Sequence, residues 1–285
     1  VIFKYSINKY IFKVYIVLVI FMKLFNLSKE SIFITGASGF LGLQYSKFLC
    51  DQGAKVYAVD LNENKKILNL KKKYKNFNFH KCNITNEKNL IDLSNKWFKK
   101  TAPTVLINNA ALDFSPDDND EFIKPFEKYS NEAWNKAMDV NVNGVYLCCK
   151  IIGSKMANKK RGSIINVSSI YGIVSPDPKI YENKNKNKKF IKPIPYSVSK
   201  SAIINLTKYL AVYWAKKNVR VNNLILGGMQ NKQNKTFIKN YSNRVPFGRM
   251  AKINEYNGPI LFLSSNLSSY MTGSNLVIDG GWTAI

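Results

Sequence analysis

The sequence predicts an α/β fold: a single domain on a doubly wound parallel sheet of about seven strands, with helices on both faces. Three observations predict it. Short apolar runs alternate with longer helical stretches from Ser31 to the C-terminus. A glycine-rich turn, Thr35-Gly36-Ala37-Ser38-Gly39-Phe40-Leu41-Gly42, joins the first apolar run to the first helical stretch. No composition break or internal repeat divides the 285 residues, and their 46% hydrophobic content suffices for one sizeable core.

In chain order, Ser31–Thr35 is a short apolar strand, and Phe40 to Gln52 is a helix ended by Gly53. Lys55–Asp60 is the second strand. A helix near Glu63 to Tyr74 leads to the strand Phe77–Cys82. A helix near Glu87 to Lys100 leads to the strand Thr104–Asn108. A long helix spans Asn131 to Asn158, followed by the strand Ser163–Val167. Tyr196 to Lys217 is a second long helix, and Val219–Leu226 a further strand. A helix near Asn254 to Leu263 precedes the last strand, Asn275–Asp279. The irregular stretch Asp177 to Pro195 carries Lys179, Lys184, Lys186, Lys188, Lys189 and Lys192, with Pro178, Pro193 and Pro195. It reads as an exposed loop and, by its place between two candidate site residues, as a lid-like insert at 177–195.

Residues 1–21 stand apart. Val14 to Met22 is apolar and follows Lys4, Lys9 and Lys13. The run is shorter than the ~20 residues a bilayer span takes, and no small-x-small cleavage site follows. The expectation is a non-native or disordered extension with Met22 as the natural start, so that 22–285 forms the domain. A membrane anchor is the alternative.

The net charge of +25 raises nucleic acid or an anionic membrane as partners. The lysines are scattered, however, and accompanied by many Asn and Ile residues, as an A/T-rich genome would produce. No Arg/aromatic RNA-binding motif or zinc-finger spacing is visible. Neither nucleic acid nor membrane is therefore expected. Cys50, Cys82, Cys148 and Cys149 lack metal-ligand spacing. They read as reduced thiols of a cytoplasmic protein without a metal. The single histidine, His80, lies in a strand-like run and is not expected to be catalytic.

Glycines in the first strand-to-helix turn permit a tight bend and let backbone approach a pyrophosphate. The helix N-terminus adds amides and positive dipole. Asp60 ends the second strand, where its carboxylate can accept bonds from both ribose hydroxyls. It would repel a 2′-phosphate, which favours NAD over NADP. Downstream, Tyr196 and Lys200 are four residues apart and share a helix face. An ammonium beside a phenol favours the phenolate, which fits a tyrosine for proton exchange near neutral pH.

Together these residues resemble the short-chain dehydrogenase/reductase family, over nearly everything from Ser28 onward. The resemblance implies a Rossmann fold and hydride transfer between a nicotinamide cofactor and a secondary alcohol or ketone. The family's catalytic tetrad falls on Asn141, Ser169, Tyr196 and Lys200, through Asn141-Val142-Asn143-Gly144, Asn166-Val167-Ser168-Ser169 and Tyr196-x-x-x-Lys200. It implies Tyr196 as acid/base, Ser169 bonding the same substrate oxygen, Lys200 lowering the tyrosine pKa and binding ribose, and Asn141 holding a relay water. The implied cofactor residues are Gly36, Ser38, Gly39, Phe40, Leu41, Gly42, Asp60, Asn83, Ile84, Asn109, Ala110, Tyr196, Lys200, Gly228 and Met229. Ile278-Asp279-Gly280-Gly281 matches the family's C-terminal Asp-Gly-Gly.

Four departures stand out. The glycines follow Gly-x-x-Gly-x-x-Gly, as in the branch that acts on nucleotide sugars. Asn83 replaces the usual adenine-contacting Asp, and its side-chain oxygen can still bond the adenine amino group, so affinity is dented more than function. Leu226-Gly227-Gly228 replaces the usual Pro-Gly. The 177–195 insert is longer than its family counterpart. Ser169–Gly172, the insert and Leu226–Met229 with Arg249–Ala251 are similar to bacterial oxidoreductases of surface-sugar and flagellin-glycosylation pathways. That similarity implies a sugar or nucleotide-activated sugar as substrate, and a basic loop suits an anionic one. An epimerase or dehydratase that retains NAD, and a non-enzymatic NAD-binding scaffold, are the competing readings. Apolar residues on more than one face of the two long helices, with the family's habit, imply a homodimer or homotetramer.

Overall fold

The computed structural model describes residues 25–113, 124–181 and 192–285. The N-terminal extension and residues 182–191 of the insert lie outside the described residues. Seven strands form one parallel sheet in the order β3-β2-β1-β4-β5-β6-β7. They are β1 (Ser31–Thr35), β2 (Lys55–Asp60), β3 (Phe77–Lys81), β4 (Val105–Asn108), β5 (Gly162–Ser169), β6 (Val219–Leu226) and β7 (Asn275–Ile278). The order reverses direction between β1 and β4, so a crevice opens at the C-terminal ends of those strands.

Strand residues alternate between two cores, as the pleat requires. Ile32, Ile34, Ile107, Ile165 and Val167 face one core, with Leu49, Tyr256 and Ile260. Phe33, Leu106, Ile164 and Val221 face the other, with Leu93, Ile152, Ile203 and Trp214. The helices that cover the sheet include α1 (Phe40–Asp51), α2 (Lys65–Lys73) and α3 (Glu87–Phe98). The predicted helix from Asn131 to Asn158 is segmented into α4 (Asn131–Met138), α5 (Gly144–Cys148) and α6 (Ser154–Asn158). Its junctions, Asp139–Asn143 and Cys149–Gly153, are π-helical. Then come α7 (Ile194–Trp214), α8 (Lys235–Arg244) and α9 (Asn257–Ser264). Helix α8 is an addition to the sequence reading. Its signals were the Asn234 cap, which accepts from Phe237 N, and the Phe237/Ile238/Tyr241 spacing.

A third, smaller core builds the lobe beside the crevice: Ile170, Tyr171, Ile180, Ile225, Tyr241, Val245, Met250 and Trp282, with Tyr196 and Phe237 against it. The first part of the insert belongs to this lobe. Its 3₁₀ turn Pro178–Tyr181 packs on α8: Asn240 Nδ2 donates to Ile180 O at 3.4 Å, and the Tyr181 and Phe237 rings lie 5.5 Å apart.

A row of amides, buried on β4 to β6 and exposed at its β7 end, crosses four strands beneath α7. Asn108, Asn166, Asn223 and Asn275 occupy matching register positions on β4 to β7. Asn108 donates to Asn166, Asn166 to the Thr207 hydroxyl of α7, Thr207 to Asn223, and Asn223 to Asn275, all at 2.7–2.9 Å. Thr207 is fully buried and ties the row to the helix that carries Tyr196. Replacing it with Val strands one buried donor and one buried acceptor. Thr207→Val should therefore cost about 2–4 kcal/mol in denaturant unfolding; a loss below about 1 kcal/mol would show the row to be dispensable.

Candidate active site

The crevice between β1 and β4 is locked at its base by Thr35 and Asn109. Thr35 Oγ1 accepts from Asn109 N and Ala110 N at 3.1 and 3.0 Å. Asn109 Nδ2 donates to Thr35 O and Gly36 O at 3.1 and 3.2 Å. The turn above leaves no room for a side chain at Gly36 or Gly42. Gly36 has φ +68°, and a Cβ there would sit 2.7 Å from Ala110 Cα. A Cβ on Gly42 would sit 2.1 Å from Gly36 O. No side chain caps Gly39 at the start of α1, so the first turn of α1 has amides to offer an anion. Phe40 is exposed there, and Leu41 packs against the core.

Asp60 closes this end. Its Oδ2 accepts from Ser38 N at 2.8 Å and its Oδ1 from Leu61 N at 2.7 Å. Each oxygen keeps a second lone pair for a ribose hydroxyl. Asn83 behaves differently from the expectation. Its Oδ1 already accepts from Thr85 N and Thr85 Oγ1, both at 3.1 Å. With both lone pairs engaged, its amide Nδ2 is the group left for an adenine, as a donor to a ring nitrogen. Ile84 is buried against Gly144, which leaves only its backbone for such a contact. Beyond β6, Gly228 N donates to the Tyr241 hydroxyl. Met229 bridges to Ala251.

Three members of the tetrad meet where β5 ends against the first turns of α7. Ser169 is the last residue of β5. Its hydroxyl accepts from Tyr171 N at 3.2 Å and hydrogen-bonds the Tyr196 hydroxyl. Tyr196 and Lys200 lie one turn apart on α7, as their spacing predicts. Lys200 is buried, donates from Nζ to Val167 O at 2.9 Å, and stands 5.7 Å from the Tyr196 ring centroid. Ser168 Oγ donates to Lys200 O at 2.9 Å, which fastens α7 to β5.

Asn141 joins the group from the π-helical segment. It is 1% exposed. Its Oδ1 accepts from Leu112 N at 2.7 Å, and its Nδ2 donates to Leu112 O at 3.0 Å and Ser199 Oγ at 3.1 Å. Ser199 Oγ in turn donates to Tyr196 O at 2.7 Å. The Asn141 side chain thus ties the loop after β4 to the helix of Tyr196. The π-helical insertion is what turns it into this position.

One electrostatic expectation is corrected. Lys200 does not leave the Tyr196 pKa below its ordinary value. Burial pushes the phenol up, the Asp113 carboxylate pushes it further, and the hydrogen bond from Ser169 opposes both. The dehydration acts on the phenol oxygen itself, whereas the Lys200 ammonium bonds Val167 O. Burial likewise draws the Lys200 ammonium down to about 8, against an upward pull from Asp113.

Asp113 was not singled out in the sequence, although it lies three residues past Ala110 in the loop at the switch point. That placement was the available signal. Tyr181 and Tyr241 were also missed; both belong to the lobe beside Tyr196, and Tyr171 and Tyr181 share a hydroxyl contact of 3.1 Å. His80 sits on edge strand β3 against Trp97, four strands from β5. Among the described residues, no cluster of His, Cys, Asp or Glu could hold a metal ion.

The chain is similar to known proteins over most of its length. A family model described as enoyl-(acyl carrier protein) reductase matches residues 36–283. A sorbose reductase of Candida albicans is 29% identical over 272 residues, covering 92% of this chain and 90% of its own. A gluconate 5-dehydrogenase of Gluconobacter oxydans is 28% identical, covering 91% and 97%. A short-chain dehydrogenase of Leptospira borgpetersenii, solved with bound NAD+, superimposes with a TM-score of 0.79 at 33% identity, covering 90% and 96%. With a seven-stranded parallel sheet and a family match over most of its length, the chain belongs to the short-chain dehydrogenase/reductase family and is an oxidoreductase acting on CH–OH groups.

Proposed function

We propose that this dehydrogenase moves a hydride between NAD and a secondary alcohol or ketone of a sugar or polyol. The observation that carries the reading is the contact of Ser169, Tyr196 and Lys200 at the end of β5, beside the glycine turn held by Thr35 and Asn109. A nicotinamide cofactor bound along that turn would supply the hydride acceptor or donor. In the oxidative direction Tyr196, as phenolate, takes the hydroxyl proton while the carbinol hydrogen leaves with its electron pair. Ser169 holds the substrate oxygen by a hydrogen bond, and Lys200 carries positive charge to the base of the site. In reduction the same phenol returns the proton. NAD is favoured over NADP because the Asp60 carboxylate, beside the glycine turn at the end of β2, would repel a 2′-phosphate. A surface-sugar or nucleotide-activated substrate rests on the similarity of Ser169–Gly172, the 177–195 insert, and Leu226–Met229 with Arg249–Ala251.

The test is NADH formation from a panel of polyols and sugars, with ketose reduction as the reverse assay. Stoichiometric NADH supports the dehydrogenase; conversion without net NADH would favour the epimerase or dehydratase reading instead.

The same reading includes a homodimer or homotetramer. On α7, Tyr209 and Tyr213 are 65% exposed and Val212 81% exposed. Beside them Met138, Val142, Tyr146 and Leu206 line a groove of about 520 Å³. Such a contiguous apolar face on a long helix is what an interface buries. Sedimentation at the monomer mass would overturn it. A cytoplasmic setting is proposed on the four free, buried cysteines. No helix of the described residues is long and apolar enough to cross a membrane.

A further inference from the structure

The feature left over by the tetrad is an ion pair at its edge. Lys192 Nζ, from the end of the insert, bonds Asp113 Oδ1 in the loop after β4. The same ammonium stands 4.7 Å from the Tyr196 ring centroid. Lys192 and Lys200 therefore both lie over the ring of the proton-transferring residue. Asp113 is set in place from below, because the Asn141 side chain holds both backbone groups of its neighbour Leu112.

The two partners are unequally placed. The Lys192 side chain is 9% exposed, whereas that of Asp113 is 52% exposed. The carboxylate, not the ammonium, is thus the partner open to a group from solution. A carboxylate accepts hydrogen bonds from hydroxyls and repels a carboxylate or phosphate. Its charge is also felt at Tyr196, Lys200, Tyr171 and Tyr181, which places it within reach of a group bound there.

We propose that Asp113, held by Lys192 and the Asn141 clamp, is the specificity residue of this site, and that it selects a neutral polyol or ketose by accepting hydrogen bonds from a hydroxyl near the reacting carbon. The inference rests on the dehydrogenase reading above and narrows it. It runs against the expectation from the basic insert, in which charge count alone pointed to an anionic substrate. Lys192 is spent on Asp113 and on the Tyr196 ring, so its charge neutralises the site rather than recruiting an anion.

The test compares wild type and Asp113→Asn on three probes: galactitol or sorbitol as neutral polyols, gluconate as an aldonate, and cyclopentanol as an alcohol with no second hydroxyl. Wild type should prefer the polyol to the aldonate. Asp113→Asn should lower the ratio of polyol to cyclopentanol kcat/KM by about tenfold or more, mostly through the polyol KM. Cyclopentanol kcat/KM normalises for the effect of the lost charge on Tyr196 and Lys200, a melting curve reports that the variant is folded, and Asp113→Glu should restore part of the ratio. An unchanged ratio, or a wild-type preference for gluconate, overturns the assignment of Asp113 while leaving the dehydrogenase in place. Absence of NADH from every probe with wild-type protein would remove the dehydrogenase reading and this inference with it.

Discussion

Tyr196→Phe is expected to lower kcat by about a thousandfold while leaving the fold intact. The loss follows from removal of the phenol proton that sits against Ser169 at the end of β5: Ser169 has a hydroxyl too poor an acid to replace a phenol, and Lys200 is committed to Val167 O. The fold should survive because the substitution removes one oxygen. Ser169 keeps its bond from Tyr171 N. The ring stays under Lys192 and Lys200, so their contacts with its face persist. Turnover on an identified substrate, measured beside a melting curve, checks both halves. Wild-type kcat in the variant would remove Tyr196 from the mechanism.

The wild-type pH profile has a definite sign. Alcohol oxidation needs the phenolate, and burial raises the Tyr196 pKa. Oxidation should therefore speed up from neutral pH into the alkaline range, whereas ketone reduction, which needs the phenol, should not. An oxidation rate that fell over that range would contradict the assignment of base.

Most of the scaffold was legible because its signals are local. The limits of β1, β2 and β6 coincide with the apolar runs that announced them, and the glycine turn sits between strand and helix as its motif requires. The Tyr196/Lys200 pair was legible for the same reason: i to i+4 spacing puts both on one face of a helix. What escaped depends on tertiary placement. The π-helical segment at Asp139–Asn143 keeps helical composition, and only packing shows that it aims Asn141 at Leu112. Asn83 was read from its chemical type, but its oxygen is used locally by Thr85. Asp113 and Lys192 are 79 residues apart, and no periodicity relates them. The Tyr196 pKa was misjudged because a spacing rule supplies the nearby cation and says nothing about dehydration.

Lys200→Met should show how far the site is built against stability. Both lysine states enter the comparison. The ammonium has an ordinary pKa near 10.5 and is drawn down to about 8 by burial. At about 1.4 kcal/mol per unit, the folded protein bears a cost of about 3 kcal/mol for keeping Lys200 charged below pH 8. Above the unfolded pKa the lysine is neutral in both states and the cost vanishes. Stability of the wild type relative to Lys200→Met should therefore rise by about 3 kcal/mol as pH increases from 8 to 10.5. Other titrating groups are common to both proteins and cancel in the difference. At neutral pH the variant should be about as stable as wild type, since the relief offsets the lost charged-donor bond to Val167 O, worth about 2 kcal/mol. Turnover should nevertheless collapse, because a thioether carries no charge to the base of the site. Denaturant titrations of both proteins at several pH values decide the matter. A difference that stays flat across that window would mean that Lys200 is already neutral, or is solvated through a path the packing around Val167 does not reveal. A gain of stability together with loss of turnover would instead identify the buried ammonium as a feature kept for chemistry at the expense of the fold.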